Sequence, residues 1–169
     1  MVEIPKLLFI YIYHDVALNM KRLYRIQFIK SSFDLNDDYD GFNEQDKCSI
    51  SDMLSGGYFE YNNNDGNYTL YIILKPTIAE KYSSILDENL IVHSMRDISE
   101  EILNGMDLTS ALIPFVTMLN FDRHRSFKAK LEKWILSNLD IDRILDRINE
   151  VGFSNITKLE KKFLDEYQV

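Results

Sequence analysis

Between Gly57 and Leu74 the chain reads Gly-Tyr-Phe-Glu-Tyr, then Asn62-Asn63-Asn64-Asp65-Gly66-Asn67, then Tyr-Thr-Leu-Tyr-Ile-Ile-Leu. Two runs rich in aromatic and β-branched residues flank a set of turn formers, which is the pattern of a β-hairpin. Asp65-Gly66 gives the turn a residue free to take positive φ, because Gly has no Cβ. In the second arm Leu70, Ile72 and Leu74 fall on one face, Tyr71 and Ile73 on the other. A strand apolar on both faces belongs inside a sheet, so this arm is expected as the central strand, covered on both sides.

The remaining elements arrange themselves around that hairpin. Leu7 to Tyr13 reads as a first strand, and Leu23 to Lys30 as a half-buried strand of an antiparallel pair, with Tyr24, Ile26 and Phe28 inward. Ser31 to Lys47 reads as an acidic polar loop. Ser49 or Ser51 is placed to cap a short helix through Leu54, which Gly56-Gly57 stops. Pro76-Thr77-Ile-Ala-Glu80 carries a capping-box pattern and opens a helix to about Leu86; Asn89 to Ser94 then reads as a strand. Strand, helix, strand implies a right-handed crossover and some parallel pairing.

From Asp97 onward the spacing is helical. Asp97 or Ser99 starts a helix with Ile98, Ile102 and Leu103 inward, ended by Gly105. Asp107 or Thr109 starts the next, which Pro114 kinks or divides. Phe127, Leu131, Trp134 and Ile135 make one apolar stripe over Phe121 to Leu139. Asp140 caps a helix with Ile144, Leu145, Ile148 and Val151 inward and Gly152 at its end, and Thr157-Lys-Leu-Glu160 is a second capping box. The expected fold is therefore α+β, a mixed and mainly antiparallel sheet of about five strands followed by a helical C-terminal region. A sheet-containing part over 1–96 and a helical part over 97–169 are expected to pack as one domain, the size that 169 residues suit.

Ile141 to Tyr167 resembles a short module at the C-terminus of some bacterial rhomboid-family proteins, with the look of "LDKI…GF-x-x-LT-x-EEK-x-FL". The likeness covers less than a fifth of the chain and departs where Leu159 follows Lys158 in place of Glu. The rhomboid membrane domain and its catalytic residues are absent, so no protease activity carries over. The resemblance implies a helical hairpin used as an appendage.

Charge and composition narrow the function classes. A formal charge of −8 argues against general nucleic-acid binding, which needs surplus Lys and Arg, and suits a basic partner. No run is long and apolar enough to span a bilayer, and Glu3 before Leu7 to Tyr13 does not suit a signal peptide. With Cys48 as the only cysteine there is no internal disulfide, and a reducing, cytoplasmic setting is expected. Usage skewed towards Ile, Asn, Lys and Tyr points to an AT-rich bacterial or phage genome.

Few residues carry a pattern that chemistry requires. Asn36 to Gly41 matches the front of an EF-hand loop, but Lys47 stands where the bidentate Glu is needed, and a solvated acidic loop is the simpler reading. His14, His93 and His124 are scattered without metal-ligand spacing, so no metal or cofactor is expected; His14 or His93 remains the seed of a third, enzymatic reading. Cys48 lies between Asp46 and Asp52, which disfavour a reactive thiolate, and the Gly-rich and nucleophile-elbow motifs are missing.

What remains is surface chemistry. The leading expectation is a non-enzymatic interaction protein (an inhibitor, immunity-type protein or adaptor) presenting Asp37, Asp38 and Asp40 with Tyr58, Tyr61 and Tyr68 to a basic protein. The alternative is a nucleic-acid- or nucleotide-associated protein using Arg123, His124, Arg125, Lys128 and Lys130. Homo-oligomerisation through the C-terminal hairpin is a further expectation, from the apolar Phe153, Ile156 and Phe163.

Overall fold

The computed structural model describes residues 20–29, 42–61, 67–105 and 121–167, the side chains of 61, 121–124 and 167 excepted. Two compact units divide between Asp97 and Ile98. The first holds β1 (Arg22–Phe28), α1 (Glu44–Gly56), β2 (Tyr58–Tyr61), β3 (Tyr68–Leu74), α2 (Pro76–Glu88) and β4 (His93–Asp97). The second holds α3 (Ser99–Leu103), α4 (Phe121–Asn138), α5 (Ile141–Val151), a 3-10 turn (Phe153–Asn155) and α6 (Lys158–Tyr167).

The fold is α+β, as expected, with a sheet of four strands among the described residues rather than about five. The strand expected over Leu7 to Tyr13 lies outside the described residues, as do the Asp65-Gly66 turn and the Asp107 to Pro114 helix starts. Strand order is β2-β3-β1-β4, and every ladder is antiparallel. This corrects the expected parallel pairing. β3 and β4 do run parallel on either side of α2, but β1 lies between them and pairs with both. β1 and β2 are likewise parallel, with β3 between them. The arrangement is the ferredoxin-like split βαβ. The second hairpin arm is an interior strand, sharing the middle of the sheet with β1.

Alternation along β1 and β3 turns Tyr24, Ile26, Phe28, Leu70 and Ile72 to one face, where they form a core with Ile50 and Met53 of α1 and Ala79, Tyr82, Ile85 and Leu86 of α2. Phe28 stacks on Phe59 with ring centroids 6.3 Å apart. Gly57 lets α1 pass directly into β2. Its backbone is extended, but a Cβ there would lie 2.7 Å from the Tyr71 carbonyl oxygen and run into Leu70.

Three boundaries differ from expectation, each because a local backbone or capping preference overrides the sequence cue. α1 starts at Glu44 rather than near Ser49, since Asn43 accepts from the Asp46 N–H at 2.9 Å and caps it. Lys75, with Pro76 at the first helical position, starts α2 with no side-chain cap, so the Thr77–Glu80 box does not form. β4 begins at His93, not Asn89. There the Leu90 N–H donates to Asp87 O and the Ile91 N–H to Leu86 O, a Schellman end in which Leu90 takes the left-handed position (φ 58) usually given to Gly.

The other face of the sheet is polar and aromatic. Tyr58 and Tyr71 are cross-strand neighbours, Arg25 is opposite Tyr71 and Arg96, and Glu60 bonds the Tyr71 hydroxyl. Burial pushes the Tyr71 and Tyr58 phenols up, and burial raises the Glu60 carboxyl against the opposing Tyr71 hydrogen bond. A carboxyl raised in the folded state contributes its full stability below its unfolded value of ~4.3 and loses it as pH rises through the folded one. Glu60→Gln keeps an acceptor for Tyr71 without the charge. Its Tm is expected to exceed that of the wild type at neutral pH, with the gap closing on acidification; thermal melts across pH test this.

Candidate interaction surface

In the second unit the buried apolar residues are Ile98, Ile102 and Leu103 with Phe127, Leu131, Trp134, Ile135, Leu139, Ile144 and Ile156. The helical stripe read from Phe127 to Ile135 is buried as expected. α5 departs from expectation. Asp140 caps it, accepting from the Arg143 N–H at 2.8 Å, but Ile144 is its only fully buried residue, and Leu145 is 48% exposed and Val151 also exposed. Helical geometry explains the split. Ile144 and Leu145 are about 100° apart around the axis, so a helix that centres Ile144 on the core turns Leu145 to its margin.

Leu145 stands in a ridge with half-buried Ile141 and Ile148, four and three residues away. Next to that ridge Asp142, Asp146 and Glu150 follow one another at four-residue steps, one above the next on the exposed face. Beyond them are Arg143 and Arg147. These five charged residues, with Glu100, Asn104 and Asp140, line a groove of about 560 Å³.

Both arginines are held by their own unit. Arg143 Nη1 donates to Glu100 Oε2 at 2.9 Å and to Asn104 Oδ1 at 3.0 Å, and its Nε is 3.8 Å from Asp140 Oδ2. Arg147 donates to the Asn104 carbonyl, and its Nε lies 2.6 Å from Glu160 Oε1, a close ion contact without hydrogen-bond alignment. Gly105, at φ 91, ends α3 where a side chain would strike the Arg147 guanidinium. Glu160 also closes the expected capping box, its Oε2 accepting from Thr157 N at 2.6 Å while its N–H donates to Thr157 Oγ1 at 3.2 Å. With both arginines so occupied, Asp142, Asp146 and Glu150 have no ion-pair partner among the described residues.

The residues singled out from sequence lie elsewhere. Asp37, Asp38, Asp40 and His14 are outside the described residues. Tyr58 is only 5% exposed and Tyr68 packs against the first unit's core; Tyr61 pairs with Tyr68 in the ladder. Tyr58 and Tyr68 thus contribute to packing within the first unit. Arg123 and His124 lie in α4. Arg125 and Lys130 are exposed and Lys128 half-buried, and a helical turn separates Arg125 from Lys130 by about 140°. Arg125, Lys128 and Lys130 do not all share one face of α4.

His93 sits in a network that looks catalytic at first. Its Nδ1 lies 3.0 Å from the Ile91 carbonyl, which can only accept, so Nδ1 carries the proton and Nε2 accepts from Ser83 Oγ at 3.0 Å. Asp87 Oδ1 is farther from Nδ1, at 3.8 Å. Ser83, however, is inside α2 with its N–H committed to the helix, so that N–H is not free to serve as an oxyanion donor. The network joins α2 to the start of β4. Among the described residues no acidic, His or Cys group is arranged to hold a metal ion, and no helix is long and apolar enough to cross a membrane.

Compared with protein-family models, curated proteins and solved structures, the chain matches none. Sequence reasoning missed the surface of α5 because it counted Leu145 and Val151 as core. The signal available was the acidic four-residue spacing within Asp-Arg-Ile-Leu-Asp-Arg-Ile-Asn-Glu.

Proposed function

We propose that this protein is a non-enzymatic acidic interaction module that binds a basic partner protein. The observation that supports this most is the line of Asp142, Asp146 and Glu150 without ion-pair partners among the described residues, in a groove whose arginines are already engaged. Like charges one turn apart cost a helix roughly 0.2–0.5 kcal/mol per pair. Glu150 also lies near the helix C-terminus, where negative charge opposes the helix dipole and no basic residue compensates. Cations from a partner relieve both costs. The cytoplasm is the compartment that goes with this reading, since Cys48 is the only cysteine. The helical hairpin of α5 and α6 then acts as the appendage that the rhomboid-module resemblance implies.

The test is a pull-down from host lysate at low and moderate salt, using wild type and the Asp142→Asn/Asp146→Asn/Glu150→Gln variant. One stoichiometric protein retained by the wild type and lost by the variant is the expected result. Equal retention by both, or recovery of nucleic acid alone, overturns the proposal.

A further inference from the structure

The geometry points to a binding site for one phosphomonoester group on the polar face of the sheet, between Arg25 of β1 and Arg96 of β4. The site belongs to the first unit and does not depend on the α5 reading. The alternation that sends Tyr24 and Ile26 into the core turns Arg25 the other way, and the register sets it directly opposite Arg96. Side chains so placed start with Cβ atoms about 4.5–5.5 Å apart, and like charges there are destabilising. Arg25 is half-buried, its Nε is buried without a hydrogen-bond partner, and among the described residues its guanidinium has no ion pair. Among the described strand residues Glu60 is the only carboxylic acid on this face. It is two strands away on β2, bonded to the Tyr71 hydroxyl, and burial pushes its carboxyl up towards the neutral form. Asp97 follows Arg96 but turns to the opposite face, where it accepts from Arg22. Burying a cation without a counter-ion is costly, and an anion that the chain itself does not supply accounts for the orphaned donor.

The chemistry of the pair selects the ligand. Two opposed guanidiniums carry twice the charge of one carboxylate, whereas a phosphomonoester carries about −1.5 to −2 near neutral pH and offers three acceptor oxygens. Each guanidinium has five N–H donors, so part of either fork is enough to hold one phosphate from both sides. The next pair on the same face, Gln27 opposite Ser94, is exposed as Arg96 is, which opens this end of the face to solvent and adds an amide and a hydroxyl. A nucleic-acid backbone is a poor fit, since it needs a run of cations and the chain carries −8 overall. The ligand is therefore an isolated phosphomonoester, on a small molecule or on a phosphorylated side chain.

The experiment uses the full chain and adds methyl phosphate, with acetate as the control, at constant ionic strength. Methyl phosphate is expected to raise the Tm with concentration and to shift the amides of Arg25, Ser94 and Arg96, and acetate to do neither. Arg25→Met keeps the aliphatic stem and removes the unanswered charge. It is expected to melt no lower than the wild type without ligand, yet to lose the methyl phosphate response. Arg96→Gln, at an exposed position, is expected to weaken methyl phosphate about tenfold, the scale of losing one charged hydrogen-bond partner. A phosphoserine peptide, titrated alongside, separates the two sources: tighter binding than methyl phosphate upholds the site with a phosphorylated protein as its source, and binding no tighter upholds it with a small molecule. No response to methyl phosphate, an equal response to acetate, or an undiminished response in either variant overturns the inference.

Discussion

Glu160→Ala is expected to destabilise the second unit by about 3 kcal/mol or more, the scale at which removing one partner of a buried ion pair strands the other. Glu160 is 2% exposed and Arg147 16%, so the guanidinium left behind has little water to replace the carboxylate. The same substitution removes the acceptor for the Thr157 N–H, a capping loss on the scale of about 1 kcal/mol. Part of the ion-pair cost is the burial of an unmatched charge rather than a lost attraction. A second substitution, Arg147→Met, is therefore expected to recover much of it, because replacing both partners by apolar groups is often neutral. Trp134 is the only tryptophan and is buried in the second unit. The midpoint of its fluorescence change in denaturant reports the unit directly, and an unshifted midpoint in Glu160→Ala refutes the expectation.

Phe28→Ala is expected to cost the first unit about 3–5 kcal/mol, as for other buried aromatic truncations. Phe28 is fully buried, stacks on Phe59, and occupies the end of the strand that pairs with both β3 and β4. The cavity lies in the close-packed core between the sheet and the helices on that face, where little collapse can fill it. Amide exchange in β1 and β3 measures the effect. Protection there should fall, and retention of wild-type protection contradicts the prediction.

The α5 surface and the sheet differ in how far the chain announces them. Strand faces were legible because period-two alternation is a local property. Tyr24, Ile26 and Phe28 on β1 and Leu70 and Ile72 on β3 are buried as their spacing requires. Caps were legible where side chain and backbone met without competition, as at Asp140 and the Thr157–Glu160 box. They misled where another group reached the helix start first, with Asn43 ahead of Ser49 and Pro76 ahead of Thr77. The end of α2 was hidden because Leu90 takes a conformation whose usual signal is Gly.

For this chain, composition alone set the acidic character, and amino-acid order determined the α+β class, the interior hairpin arm and the buried Phe127–Ile135 stripe, which depend on neighbours within a few residues. Only the tertiary structure decided which of several equally apolar residues went inside. Ile144 is buried and Leu145 is not, and Tyr58 is buried although tyrosine suits a surface. Tertiary structure likewise brought Arg147 to Glu160 and Asn104, leaving the Asp142, Asp146 and Glu150 row without an ion-pair partner among the described residues. Pairing of this kind depends on distances between residues far apart in the chain, which local periodicity does not encode.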